Sequence, residues 1–458
     1  MPGLALRSRR AARALAAGAT LCVAASLASA WSCGGQSGGT GDGVEAGPEG
    51  ATHVDAAPPD SGADTGSENP GTGAEADAMA EAEVLGDVAT DVPAEATPDA
   101  PPDATDATDA TDGPTPLGTW VMGYYYGPDQ SIYPVSAIEW PALTHVAAAF
   151  YRPQTDGGLD ETLGLDATAG PALATSLVTA AHANGVKAIA SIGGASSQAA
   201  FEQATAAGTL ATFVANLGSL LTTYGYDGID IDWEPLAIAD QPAVLAIASQ
   251  LRAAHPGVVL TIAVNYTNAN FIPDLSGYPA IAAVYDQVNV ETYGMASLST
   301  GWKSWHTSAL HYADKATPAA IDESIDAYLD AGVPSASLGF GVSAYGLCYG
   351  TPVTGPDEEL GDAQTLTDVS YANIFASYYT PAARQWDPLA AVPYLSFATP
   401  TGPDACTFIT YDDAQSLAGK STYLQATKLG GIIVWRIGQA YSSGQNPLLD
   451  AVATSFRP

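Results

Sequence analysis

Basic residues are scarce in this chain. Its 458 residues carry 14 Lys and Arg against 49 Asp and Glu, a formal net charge of −35. That imbalance repels polyanions, so nucleic acid and anionic membrane surfaces are excluded as partners and an uncharged one is favoured. Cysteine is rarer still, at 4 residues, and the 6 His are scattered without the spacing a metal centre demands, so no metal and no cofactor is expected. From Gly34 to Pro116 there is no Lys, Arg, Phe, Trp or Tyr at all, and the stretch runs out in an Asp-Ala-Thr repeat between Asp103 and Asp112. With so little apolar surface to bury it cannot offset the entropy of ordering, and residues 34–117 are expected to form a disordered acidic linker. Nineteen of the acids fall there. Beyond residue 117 there remain 10 basic residues against 30 acidic ones, so the folded part is itself acidic.

Residues 1–33 have a different character. Arg7, Arg9, Arg10 and Arg13 precede an Ala/Leu/Val-rich run that closes on Ala28-Ser29-Ala30, the order of an export signal, and the run is short for a stable membrane span. Cys33, followed by Gly34-Gly35, also fits a lipid-anchored N-terminus, although Ala30-Trp31-Ser32 is a poor version of the small-residue box that such processing prefers. Secretion, and tethering to the outside of a bacterial cell as a lipoprotein, both stay open. In an exported chain Cys348 and Cys406, the two cysteines of the folded part, favour one disulfide over a metal site.

After Leu117 short β-rich runs alternate with Ala-rich helical stretches, the signature of βα units around a parallel sheet. Strands are expected near 120–126, 144–150, 187–192, 228–233, 258–264, 287–293, 338–343 and 431–436. Helices are expected over 170–184, 198–224, 241–254, 317–331 and 413–428, the last two ending near Gly332 and Gly430. Eight strands with intervening helices over residues 118–458 imply an α/β fold, a (β/α)8 TIM barrel, and the chain is expected to be a monomer. A small insertion belongs between strands 7 and 8, where the segment from Gly346 to Thr410 is rich in Gly and Pro.

The fourth strand carries the chemistry. Asp230, Asp232 and Glu234 follow one another at i, i+2 and i+4, so they share one face while Ile229, Ile231 and Trp233 take the other. Closely spaced carboxylates repel and resist burial, a cost that a core strand avoids unless function requires it. One carboxyl kept protonated beside another kept ionised is what cleavage of a glycosidic bond needs. Glu234 ends its strand, on the face of such a barrel where active sites form. Asp227 is out of phase with the other acids and is expected to be structural, while Asp412 and Asp413 are expected at a helix N-terminus, where carboxylates cap free N–H groups.

Asp227-Gly228-x-Asp230-x-Asp232-x-Glu234 resembles the strand-four signature of glycoside hydrolase family 18, the chitinase family. Ser191-Ile192-Gly193-Gly194 is similar to its strand three, Gly123-Tyr124-Tyr125 to its first strand, and Gln287 to Val290 with Tyr293 to its sixth; Trp386-Asp387, Pro393-Tyr394, Tyr411 to Asp413 and Trp435 also fall where the family has comparable residues. The likeness spans about Trp120 to Gln439. It implies that Glu234 is the general acid and later the base, and that the nucleophile is the carbonyl oxygen of the substrate's own N-acetyl group. It further implies that Asp232 orients the acetamide N–H, that Asp230 shares a proton with Asp232, and that Tyr293 donates to the acetamide carbonyl. Tyr124 and Ser191 would support Asp230, although Ser191 could instead bond a local backbone group. Trp435 would form an apolar floor, and Phe150, Glu291 and Tyr394 would line the substrate site. Trp302 and Trp305 either line the cleft or cover it.

The sixth strand departs from the pattern. Many chitinases have Met-x-Tyr-Asp there, whereas this chain has Glu291-Thr292-Tyr293-Gly294, which removes one carboxylate and adds another facing inward. The likeness implies a chitinase acting on chitin or another N-acetylglucosamine-containing polysaccharide. An endo-β-N-acetylglucosaminidase acting on glycoprotein glycans and a non-catalytic sugar-binding protein are the competing readings.

Overall fold

The computed structural model describes residues 119–268, 273–311 and 319–457. The expected export signal, Cys33 and the acidic linker lie outside them. Eight strands, β1 (Trp120–Tyr126), β2 (His145–Pro153), β3 (Lys187–Gly194), β4 (Gly228–Trp233), β5 (Val259–Asn265), β6 (Gln287–Glu291), β7 (Leu338–Ser343) and β8 (Gly431–Trp435), pair in parallel in that order. β8 pairs back onto β1, which closes the barrel. The period-two alternation of each strand sorts its side chains between two environments. On β4, Ile229, Ile231 and Trp233 enter the layer between barrel and helices, where Trp233 stacks on Phe201 at a centroid distance of 4.5 Å. Each fully buried isoleucine there contributes roughly 1.5–3 kcal/mol. Met122, Tyr124, Ala147, Ala149, Ile189, Val259 and Ile433 fill the barrel interior instead.

Departures from the expected elements have local causes. The helix expected over 198–224 is two helices, Gln198–Ala204 and Leu210–Tyr224. At the break the hydroxyls of Thr205 and Thr209 donate to the carbonyls of Phe201 and Gln203, competing with helical continuation beside Gly208. The helix expected from 317 starts at Ile321, with residues 312–318 outside the described ones. Gly332 takes φ +100 just past that helix, as a helix-ending glycine should. After the helix Ala414–Thr427 it is Lys428, not Gly430, that adopts the left-handed conformation; Gly430 is required because a Cβ there would lie 2.1 Å from the Trp120 ring.

The insertion is an ordered antiparallel sheet rather than a loop. Its strands run in the spatial order Leu366–Ser370, Tyr345–Tyr349, Cys406–Thr410, Val392–Thr401 and Arg384–Asp387. The disulfide Cys348–Cys406 joins two neighbouring strands. Asp413 caps its helix by accepting from the amides of Gln415 and Ser416, but Asp412 does something the sequence did not announce. It is fully buried and paired with the equally buried Lys420, whose ammonium also donates to Ser308 Oγ at 2.9 Å. Ser308 in turn donates to the Thr292 carbonyl beside the end of β6, so the ion pair anchors the loop that follows that strand. Lys420→Met would leave a buried carboxylate without its cation and should cost about 3–5 kcal/mol, whereas pairing it with Asp412→Leu should restore most of the loss. Urea unfolding of the single and double variants reads the difference.

Candidate active site

Parallel pairing sets one polar row across three strands. Ser191 on β3 lies opposite Asp230 on β4, and Asp230 opposite Thr261 on β5. All three are fully buried, so the Asp230 carboxylate must find its donors inside the barrel. Ser191 Oγ donates to it at 2.7 Å, Tyr124 Oη at 3.0 Å and Thr261 Oγ1 at 2.6 Å. Burial raises the Asp230 pKa and the three hydroxyls partly offset it. Ser191 thus bonds Asp230 and not a local backbone group. Thr261 was missed in the sequence; its position opposite Asp230, on an inward-facing site of the next strand, is the signal that would have found it.

Asp232 is one turn of the pleat further up. Gly193 makes room for it, since a Cβ there would lie 2.0 Å from the Asp232 carbonyl, and Gly194, at φ +87, passes beneath the Phe150 ring. The Asp232 carboxyl is buried and shares a hydrogen bond with Glu234. Its expected partner Asp230 accepts from three hydroxyls and still bears on Asp232 through its charge, while the hydrogen bond is shared with Glu234. Asp232 Oδ1 has no hydrogen-bond partner among the described residues. Glu234 is only partly buried and opens to the cleft, with its backbone N–H donating to Ser197 Oγ.

Glu291 completes the cluster. Carboxyl oxygens of Asp232, Glu234 and Glu291 all lie within 4.8 Å of one another. Two like charges at about 5 Å repel by roughly 3 kcal/mol at an effective dielectric near 20, so the three cannot all ionise near neutral pH. Accordingly Asp232 is pushed well above the usual carboxylate range by burial, then by Glu234 and Glu291. Glu291 is also pushed well above that range, by burial and then by Glu234. Glu234 is raised by burial, against the hydrogen bond from Asp232 and the positive charge of Arg152. These titrations belong to the group rather than to single residues.

β6 was expected to continue through Tyr293 but ends at Glu291, because the amides of Thr292 and Tyr293 each turn back onto the carbonyl two residues earlier, at 2.8 Å. The turn brings Tyr293 Oη to Glu291 Oε1 at 3.0 Å. Trp435, at the end of β8, forms an aromatic floor with Phe150 (5.4 Å, near-parallel), Tyr124 (5.7 Å) and Tyr126 (6.2 Å). Tyr394 packs in the insertion against His306 and Phe408, beside the apolar cluster that Tyr293 and Trp435 also pack against, with no ring contact or hydrogen bond to the carboxyl cluster among the described residues. Trp305 is buried and donates to the Ala319 carbonyl, so it covers the barrel rather than lining the cleft. Asp227 accepts from the Ala188 amide and contacts His182 at the strand entrance, a structural place.

The parallel barrel carries its carboxyls and its aromatic floor at the C-terminal ends of the strands, where the active sites of this fold form. The sequence profile of glycosyl hydrolases family 18 matches residues 121–440, and the chain belongs to that family. It is similar to a chitinase-like effector of Moniliophthora roreri, at 26% identity over 72% of this chain and 91% of that protein. It is also similar to Chitinase A1 of Niallia circulans, at 28% identity over 57% of this chain and 42% of the other. The Group IV chitinase of Ostrinia furnacalis shares the fold, with a TM-score of 0.63 at 22% identity over 74% of this chain and 100% of that one.

The raised pKa of Asp230 means that the folded state holds a proton the unfolded chain has already released, so stability falls as pH rises through that value. Thr261→Val removes a donor to the ionised form and should steepen the fall. It is expected to cost about 1–3 kcal/mol where Asp230 is ionised and much less in acid. Urea unfolding near pH 4 and near pH 8 separates this from a packing effect, which would be equal at both.

Proposed function

We propose that this chain hydrolyses β-1,4 linkages between N-acetylglucosamine units, as in chitin or chitooligosaccharides. The observation that carries the reading is the partnerless Oδ1 of buried Asp232, next to Glu234 at the mouth of the barrel. A buried acceptor without a donor is costly unless a ligand supplies one, and an acetamide N–H of the sugar would do so. Held there, the acetamide carbonyl oxygen attacks the anomeric carbon while Glu234 gives its proton to the departing glycosidic oxygen. The C–O bond breaks, an oxazolinium ion forms, and the Asp232 carboxylate stabilises its positive charge. Water then adds to the anomeric carbon, returning a proton to Glu234 and reopening the ring with net retention. Tyr293 serves as donor to the acetamide carbonyl, and Trp435 with Phe150 supports the apolar face of the sugar.

A second reading, sugar binding without cleavage, is favoured by one observation: a relative covering 72% of this chain carries the name chitinase-like effector. Export, with or without a lipid at Cys33, fits either reading and rests on residues 1–33.

Incubation with N-acetylglucosamine oligomers should give cleavage that Glu234→Gln lowers by on the order of 10²–10⁴-fold while oligomer binding survives. Binding by the unaltered chain without cleavage would sink the hydrolase reading. Release of glycans from a high-mannose glycoprotein, with oligomers untouched, would move the substrate class to glycoproteins.

A further inference from the structure

β6 repeats the design of β4. Gln287, Asn289 and Glu291 alternate with Val288 and Val290, and the two valines enter the outer core, so the polar three face the barrel interior. Gln287 and Asn289 are held there by neutral partners, His145 and Trp120. Glu291 is the top of this row, and its partner is the Tyr293 hydroxyl.

Tyr293 has little freedom of its own. Its ring sits against Gly341, where a Cβ would come within 2.5 Å of ring carbons. Gly294, at φ +63, follows it, with Tyr345 Oη 3.1 Å from where its Cβ would be. With the ring fixed, what remains adjustable is the direction of the O–H bond. In the proposed reaction that hydrogen is needed by the acetamide carbonyl of the substrate, and the inference rests on that reading. Glu291 competes for the same hydrogen.

We propose that Glu291 is a pH-dependent positioning residue for Tyr293: its ionised carboxylate holds the Tyr293 hydroxyl away from the substrate, and its neutral form releases it. A carboxylate is a far stronger acceptor than a neutral acid or an amide oxygen, so the competition turns on one proton. The groups that bear on Glu291 are Asp230 and Glu234 from the β4 side, and its charge is felt in turn by Asp232, by Tyr124 on β1, by Tyr328 on the helix Ile321–Asp330 and by Tyr345 of the insertion. All are acids or phenols. Among these groups no cation favours the ionised form, so the crowd of carboxyls keeps Glu291 neutral, and the hydroxyl free, through the acidic range.

The substrate affinity of this chain should therefore weaken as pH rises, independently of the acid–base limits on turnover. Steady-state KM and kcat for N-acetylglucosamine oligomers between about pH 4 and pH 8, for the unaltered chain, Glu291→Gln and Tyr293→Phe, separate the two. In the unaltered chain KM should rise on the order of tenfold across the range, the size of one hydrogen bond to a charged group surrendered. In Glu291→Gln, whose amide oxygen accepts weakly at every pH, KM should stay low and change by no more than about twofold. Tyr293→Phe should bind weakly and equally at all pH values. A flat KM in the unaltered chain, or the same rise in Glu291→Gln, overturns the proposal. Oligomer binding to Glu234→Gln, with and without Glu291→Gln, gives the same comparison without turnover. A chain that never cleaves would thus count against the hydrolase reading alone, while pH-flat binding would count against Glu291.

Discussion

The rest of the site follows from the mutual repulsion of carboxyls that the barrel forces together. Asp230, Asp232, Glu234 and Glu291 occupy the upper inner face of two strands, β4 and β6, and three of them have oxygens within 4.8 Å of one another. Folding could neutralise such a group with cations or with protons. The folded part has few cations to offer, and among the described residues four of them are engaged elsewhere: Lys420 with Asp412, Arg252 with Asp286, Arg384 with Asp413 and Arg436 with Asp129. Arg152 acts on Glu234 only from an exposed position. Protons are what remains, and retained protons are what an acid catalyst needs. The shortage of basic residues with which the sequence opens therefore bears on how the carboxyl cluster keeps its protons.

The barrel supplies what charge pairing does not. Parallel register aligns Ser191, Asp230 and Thr261 into one row, so the innermost acid receives three hydroxyl donors and is held still. A fixed Asp230 acts on Asp232 through its charge, and the hydrogen bond of Asp232 goes outward to Glu234. Gly193 permits the close approach of β3 to β4 at that level. The geometry propagates from the bottom of the strand to its mouth, and each acid's role is set by what the one below it has already taken.

Much of this could be read in the sequence because it depends on period-two alternation, which survives small errors in strand ends. The acids on β4, the opposed apolar face and the eight strands all belong to that class of information. Thr261 was not legible because hydroxyl-bearing strand residues are common and only the register between β4 and β5 singles one out. The Asp232–Glu234 pairing was hidden for a related reason: alternation places Asp230 and Asp232 on one face but says nothing of how many donors already surround Asp230. The Asp412–Lys420 pair looked like a helix cap because Asp413 beside it is one, and only burial distinguishes the two. Tyr394 stands on the insertion's own sheet, yet it packs against the same apolar cluster as Tyr293 and Trp435.

The exchange on β6 then acquires a physical meaning. Many relatives by resemblance carry an aspartate directly after the tyrosine, whereas this chain has Gly294 there and Glu291 two residues before it. A carboxylate after the tyrosine would lie beyond the turn, its Cβ 3.1 Å from the hydroxyl of the buried Tyr345. Glu291 precedes the turn and stands inside, close to Asp232 and Glu234. A carboxyl at that place is coupled to the acid pair, because screening is weak where water is excluded. The same place sets the acceptor against the Tyr293 hydroxyl, because the tight turn folds the tyrosine back over its own strand. One short turn thereby links the number of protons in the carboxyl cluster to the availability of a single donor, so that in the proposed reaction the cluster's protonation acts on substrate grip as well as on proton transfer.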